Sequence, residues 1–327
     1  MLTPSMTLAE LEHGNIHWMS ERTAKEVVAR FAASGRSVLG IDGFMGSGKS
    51  PLSLMLEFQL GVECLHVDDY LPPASPEHEQ RRFIDVLDLP RLRRAIDVHR
   101  GRGALLIEGI LLRDVLSLLL QEEPVFHVYV AAAWRPSPGE MRWNEGDRLA
   151  LGAFNNALDG QIVEYHCRLL PQHDYDFAVL RDRDDFGHNG IFLAPDGQKF
   201  HIPPSVLRAS RFHQRKRRSS AFLCCATDAV LEPLGLVTPP LLSPTTRSLN
   251  DDRLSSVLTA IVDNAPLPAV AVIQKTGNPR RLVLLDGAHR YFASVAAGFT
   301  RLPALHVSGE DAELLYRYSP KNWDSAA

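Results

Sequence analysis

The 327-residue chain has only four cysteines, Cys64, Cys167, Cys224 and Cys225, and they show no metal-ligand spacing. An adjacent pair such as Cys224 and Cys225 makes a poor structural disulfide. Free thiols in a reducing compartment are the simpler expectation, which points to the cytoplasm. Long apolar runs are lacking too: the longest, at 111–120, is broken by Arg113 and Asp114 and is too short to span a bilayer. Glu10, Glu12 and His13 interrupt the first residues, which do not read as a signal peptide. Neither sign of charge dominates. The formal net charge of −4 gives no global attraction to nucleic acid or an anionic membrane. Internal repeats and long low-complexity tracts are absent. The chain does have an ordinary globular composition, 45% hydrophobic and 23% charged, and a length at which two domains are expected.

The most informative segment is Gly43-Phe44-Met45-Gly46-Ser47-Gly48-Lys49-Ser50, which fits the phosphate-binding loop pattern at every fixed position. It follows a short apolar strand at 37–42 and opens a segment at 51–58 able to continue as a helix, the context the motif requires. Gly43, Gly46 and Gly48 let backbone N–H groups curl around phosphate oxygens with no Cβ in the way, and Ser47 adds a further amide. Lys49 can reach the β and γ phosphates, and the Ser50 hydroxyl can serve Mg²⁺. The competing reading is a glycine-rich turn that matches by chance. With loop and flanks together, the expected ligand is a nucleoside triphosphate.

From residue 37 to about 182, apolar strand-like runs at 37–42, 64–67, 104–107, 125–130 and 177–180 alternate with helical patterns. Short runs buried on both faces and separated by helices indicate a parallel sheet with right-handed crossovers. Residues 7–33 read as a helix ahead of the first strand, and 191–202 as a hairpin around Pro195-Asp196-Gly197. Residues 208–218 carry Arg208, Arg211, Arg215, Lys216, Arg217 and Arg218, a run that reads as a solvated linker or as a nucleic-acid patch. Beyond a proline-rich stretch, a second pattern offers a helix near 254–261, strands at 269–273 and 281–285, a helix from Ala288 and a strand at 303–307. The expected organisation is 1–203, a basic linker at 204–227, and 228–327.

Downstream of the loop come His66-Val67-Asp68-Asp69-Tyr70, then Leu106-Ile107-Glu108-Gly109-Ile110-Leu111, then Tyr165 and Pro171 at the end of a helix. Over roughly 36–182, this ordered series resembles the uridine kinase and phosphoribulokinase group of P-loop kinases. The resemblance implies an α/β fold, a P-loop NTPase parallel sheet with flanking helices. It also implies transfer of the γ phosphate of ATP, with Mg²⁺, to a hydroxyl of a small molecule. Asp68 would be the base or orienter of the acceptor hydroxyl, and Glu108 a holder of Mg²⁺ or its waters. Asp69 would be a second acid near the metal or a solvated neighbour. The family's mobile lid would fall between Trp134 and Arg148, where Arg135, Arg142 and Arg148 would clamp the moving phosphate. The lid motif matches only loosely. Leu89 stands before Pro90 where pyrimidine nucleoside kinases place a histidine, which counts against uridine as the acceptor.

A second constellation is Leu284-Leu285-Asp286-Gly287-Ala288-His289-Arg290, an apolar strand running through Asp-Gly into a helix. First-turn N–H groups beside Arg290 suit an anion. A plain strand–turn–helix with Asp286 as the helix cap is the alternative. Over about 228–310 the segment resembles the ParB and sulfiredoxin superfamily with its free-serine kinase branch, implying a smaller α+β domain. There Asp286, Gly287, His289 and Arg290 would hold nucleotide phosphates or a phosphorylated ligand. The free-serine kinase glutamate has only Glu232 as counterpart, in a poorly matching context, and the sulfiredoxin cysteine is missing before His289.

The two constellations together lead to the expectation of an ATP- and Mg²⁺-dependent kinase of a small hydroxyl compound with a C-terminal phosphate-binding domain. No nucleic-acid or membrane partner is expected, and an oligomer is compatible with the sequence. The rival is a nucleotide-switched regulatory or DNA-associated protein using the basic run at 208–218.

Overall fold

The computed structural model describes residues 16–72, 81–121, 123–137, 140–143, 157–182, 190–212, 220–239 and 249–308. The chain divides into two compact units, Met1–Ser53 with Val62–Asp184, and Leu54–Gly61 with Asp185–Ala327. The division after Asp184 precedes the boundary at 203 that the sequence suggests, so the 191–202 hairpin counts with the second unit.

The first unit begins with strand β1 (Ile16–Trp18), helix α1 (Glu21–Ser34) and strand β2 (Val38–Asp42). Ser20 caps α1 by accepting from the Thr23 N–H at 3.1 Å, and Gly35 ends it in the left-handed region. Helix α2 (Lys49–Leu60), whose residues from Leu54 onward count with the second unit, follows the loop, then strand β3 (Cys64–His66) and a 3-10 turn at Val67–Tyr70. Next come helices α3 (Phe83–Val86) and α4 (Leu89–Arg100), strand β4 (Leu105–Glu108) and helix α5 (Leu112–Leu120). Strands β5 (Val125–Ser137) and β6 (Glu140–Trp143), helix α6 (Ala157–Leu169) and strand β7 (Phe177–Asp182) complete the unit. The helix expected over 7–33 starts only at Glu21. Residues 16–18 are instead an edge strand parallel to β7, and 1–15 lie outside the described residues.

The sheet runs β1-β7-β5-β2-β4-β3, every neighbour in that path parallel, with β6 antiparallel on β5. β2 is wholly buried between β4 and β5, so the chain leaves it toward β3 on one side and later reaches β5 on the other. That reversal opens a crevice at the carboxyl end of β2, where open α/β sheets bind ligands. The phosphate loop begins there. This is an α/β fold of the P-loop NTPase type.

The second unit contains hairpin strands β8 (Ile191–Leu193) and β9 (Lys199–His201), then helix α7 (Pro204–Ala209) and strand β10 (Val230–Pro233). A 3-10 turn at Leu234–Leu236 leads to strand β11 (Val237–Thr238), helix α8 (Asp251–Val262) and strands β12 (Val270–Gln274) and β13 (Leu282–Asp286). Helix α9 (Ala288–Ala296) and strand β14 (Arg301–His306) follow. Its mixed sheet is ordered β10-β14-β12-β13-β11, and Tyr291, Phe292, Phe299, Leu254 and Leu258 fill its core. This is the smaller α+β unit. Among the described residues no helix is long and apolar enough to cross a membrane.

Two histidines of the first unit are held neutral. Burial lowers both His127 and His166 from 6.5 to about 4. A protonated imidazole is therefore disfavoured in the folded chain, while the unfolded chain takes up these protons as pH falls below 6.5. Stability from these groups is present above that pH and declines between 6.5 and about 4. For His166 the full displacement corresponds to about 3 kcal/mol. Urea unfolding at pH 7 and pH 4.5 should show this loss, and His166→Phe should flatten the pH dependence. An unchanged slope in the variant would refute the assignment.

Candidate functional site

The loop leaves β2 through Asp42, which is 2% exposed and anchors the turn. Its Oδ1 accepts from the Gly43 N–H at 2.7 Å, and its Oδ2 accepts from the Tyr165 hydroxyl on α6. The same hydroxyl accepts from the Arg113 N–H at 3.2 Å. Burial pushes the Asp42 carboxyl up from the ordinary range, opposed by the Tyr165 hydroxyl, the Gly43 amide and the charges of Lys49 and Arg113. Burial and the adjacent carboxylate push the Tyr165 phenol upward, so it stays a donor.

Gly43 is required by space as well as by its φ of +148°: a Cβ there would lie 2.2 Å from the Val130 carbonyl oxygen. Phe44 turns inward and packs on His166 with ring centroids 4.0 Å apart. His166 Nδ1 sits 2.7 Å from the Ile162 carbonyl, which can only accept, so the proton is on Nδ1. Neighbouring residues of α6 thus brace the first three positions of the turn. Tyr165 holds Asp42, and His166 carries Phe44.

Lys49 is buried, its Nζ donating to the carbonyls of Gly43 at 2.9 Å and Phe44 at 2.7 Å. The Ser47 hydroxyl is buried and has no hydrogen-bond partner among the described residues. A buried orphan hydroxyl, a lysine resting on neutral carbonyls, and positive φ at Gly43, Gly46 and Gly48 make a cradle that fits phosphate oxygens.

Glu108 ends β4 beside the loop. Its Oε1 lies 3.1 Å from the Ser50 hydroxyl and 2.7 Å from His66 Nδ1. In the β3–β4 register His66 sits directly opposite Glu108, so both meet at the carboxyl edge of the sheet. A hydroxyl and a carboxylate are hard oxygen donors, which suits Mg²⁺, an ion usually held by one or two protein groups plus phosphates and water. No group of three His, Cys, Asp or Glu able to hold a metal forms among the described residues, so Asp69 does not complete such a cluster with Glu108 and His66. Asp68 and Asp69 lie in the 3-10 turn after β3, with Asp68 exposed, and the Asp69 carbonyl accepts from Arg91 at 3.3 Å. Leu89 starts α4 behind the Asp88 cap and packs against the apolar core.

In the segment expected to form a lid, residues 134–137 of β5 face 140–143 of β6 as antiparallel strands, Trp134 opposite Arg142. Arg148 lies outside the described residues, and for Arg135 and Arg142 only the backbone is described.

In the second unit, Asp286 ends β13 and Gly287 begins α9 at φ +97°. Asp286 is not the helix cap: the cap position is Gly287, without a side-chain cap bond, and Asp286 Oδ2 instead accepts from Arg290 at 3.1 Å. His289 Nε2 accepts from the Asn250 N–H at 2.9 Å. The four expected residues do gather at one helix start. Glu232 on β10 binds His306 Nε2 at 2.7 Å. Of the basic run, Arg211 is paired with Asp263 at 2.5 Å, and 213–219 lie outside the described residues.

No protein-family model matches the chain, and no curated protein does. Among solved structures it is similar to a possible uridine kinase from Bacillus stearothermophilus, at 18% identity and TM-score 0.30, covering 48% of this chain and 98% of that one. It is also similar to the C-terminally truncated chromosome-partitioning protein ParB from Caulobacter crescentus, solved with CTP-gamma-S, at 16% identity and TM-score 0.23. That match covers 27% of this chain and about half, 49%, of the ParB chain. At such scores neither likeness adds weight to the chemistry, which stands on the loop, the sheet edge and the carboxylates themselves.

The sequence did not single out Asp42, His66 or His166, and it named Tyr165 without a partner. Asp42 abuts the loop and His66 precedes Asp68 by two residues, but their contacts are tertiary. Tyr165→Phe removes a donor from a buried carboxylate and should cost about 1–3 kcal/mol in urea unfolding. Adding Asp42→Asn should recover part of that loss, because a neutral amide needs less compensation. Strictly additive costs in the double-mutant cycle would mean that the two side chains are not coupled.

Proposed function

We propose that the chain is an ATP-dependent kinase that transfers the γ phosphate to a hydroxyl of a small molecule. The single observation that carries the reading is the Ser50–Glu108 contact of 3.1 Å, formed where the phosphate loop meets the carboxyl edge of the parallel sheet. It sets a metal-suited oxygen pair beside the phosphate cradle.

In this reading the amides of the loop and Lys49 bind and orient the triphosphate. Lys49 exchanges its carbonyl partners for phosphate oxygens, to which charge-assisted bonds are stronger. Ser50 and Glu108 would hold Mg²⁺, with Asp69 as an outer acid; when bound, the ion neutralises charge on the phosphates. His66 fixes the Glu108 carboxylate by sharing Oε1. The exposed Asp68, two residues beyond His66, orients the acceptor hydroxyl and takes its proton. Arg142 and Arg148 clamp the moving phosphoryl group. Leu89 offers an apolar contact where an imidazole would bond a pyrimidine, so a non-pyrimidine alcohol is the favoured acceptor class. The helix start at Asp286–Arg290 binds a phosphorylated or nucleotide ligand, or carries a second phosphotransfer.

Incubation with labelled ATP and a panel of nucleosides, sugars, hydroxy acids and serine should yield a phosphorylated product. Asp68→Asn should lower turnover about 100-fold or more while ATP affinity stays within a few-fold. Lys49→Ala should abolish both. ATP hydrolysis with no labelled acceptor across the panel would sink the kinase reading.

A further inference from the structure

We propose that Arg181 is a second cationic ligand of the triphosphate, acting with Lys49; the proposal rests on the ATP site of the kinase reading and deepens it. Arg181 is the penultimate residue of β7, in register with Ala132 of β5, and so stands at the carboxyl edge of the sheet where the loop lies. Its Nη1 donates to the Gly46 carbonyl at 3.2 Å.

The stem of the side chain is built into the loop as tightly as the head. A Cβ on Gly48 would meet Arg181 Cδ at 2.6 Å and the Met19 methyl at 3.0 Å. Gly48, at φ +109°, therefore serves two purposes: it turns the loop, and it leaves room for an arginine laid across it. Met19 donates its backbone N–H to the Leu180 carbonyl at 2.7 Å, which ties its main chain to β7 next to Arg181.

Two cations thus rest on loop carbonyls from opposite parts of the sequence. Lys49 holds those of Gly43 and Phe44, and Arg181 that of Gly46. A neutral carbonyl is a weaker acceptor than a phosphate oxygen, and a guanidinium presents a planar fork suited to two such oxygens. A triphosphate entering the cradle offers Arg181 better acceptors within the reach of a side chain whose stem is already seated. Its charge then offsets phosphate charge that Lys49 alone leaves uncompensated.

Calorimetric titration of the full chain with Mg·ATP and, separately, with inorganic tripolyphosphate tests the assignment. Arg181→Met should weaken both ligands by about tenfold or more, and Arg181→Lys, which keeps the charge but not the fork, should fall between. The lysine variant keeps the test decisive if the methionine variant does not fold. Binding of both ligands within twofold of the unsubstituted chain in both variants overturns the proposal, and with Lys49→Ala still abolishing binding it leaves the ATP site standing. Weakened ATP with unchanged tripolyphosphate also overturns it, because the arginine would then serve the nucleoside. Failure of the unsubstituted chain to bind either ligand would overturn the ATP site itself and this inference with it.

Discussion

The geometry of the phosphate loop depends on a buried carboxyl group, that of Asp42. Asp42 closes the central strand, and its two oxygens point in different directions: one to the amide that starts the loop, the other to a phenol on α6. A buried polar acceptor is tolerated only when its lone pairs are met, so satisfying it fixes the direction of the chain as it enters the turn. Gly43 can then pass against the Val130 carbonyl, Phe44 can turn inward onto His166, and the rest of the loop is left to face ligand. The helix that supplies Tyr165 and His166 is thereby tied to the loop it does not adjoin in sequence.

At the opposite wall of the crevice the governing constraint is register. Parallel pairing of β3 with β4 sets His66 against Glu108, whose carboxylate faces Ser50 in the first turn of α2. Three side chains from three segments meet because each ends its strand, or starts its helix, at the same edge. Such convergence is the usual return of a doubly wound sheet, whose barrel-free edges collect loop residues into one place.

Much of this is legible in the sequence. The loop could be read because its chemistry restricts backbone, charge and hydroxyl at fixed positions, and the five core strands because burial on both faces leaves short apolar runs. Asp68, Glu108 and the Asp286–Arg290 helix start could be located because each follows such a run. What could not be read depends on pairing across distance. Nothing in the letters joins Asp42 to Tyr165, 123 positions away, or Arg181 to Gly46, 135 positions away. β1 was hidden because three residues are too few to show alternation, and its reading was absorbed into the helix that follows. β10 and β11 were hidden inside a proline-rich stretch, since Pro233 is tolerated at the end of an edge strand but looks like a linker. Asp286 was offered a capping role by its place before Gly287, yet an i,i+4 guanidinium competes for the same carboxylate and wins.

The short strand β1 has an effect out of proportion to its length. Phe177, Ala178, Val179 and Leu180 of β7 are all buried and apolar, and without a neighbour on that side their backbone donors and acceptors would form a bare, flat sticky margin. Pairing Ile16, His17 and Trp18 against Ala178, Val179 and Leu180 covers that margin, and the His17 ring stacks on Phe177 with centroids 4.6 Å apart. An uncovered margin of this composition is what chains use to join one another into aggregates. The three residues of β1 therefore move the margin of the sheet from a row of buried apolar residues to a strand too short to offer much backbone to another chain.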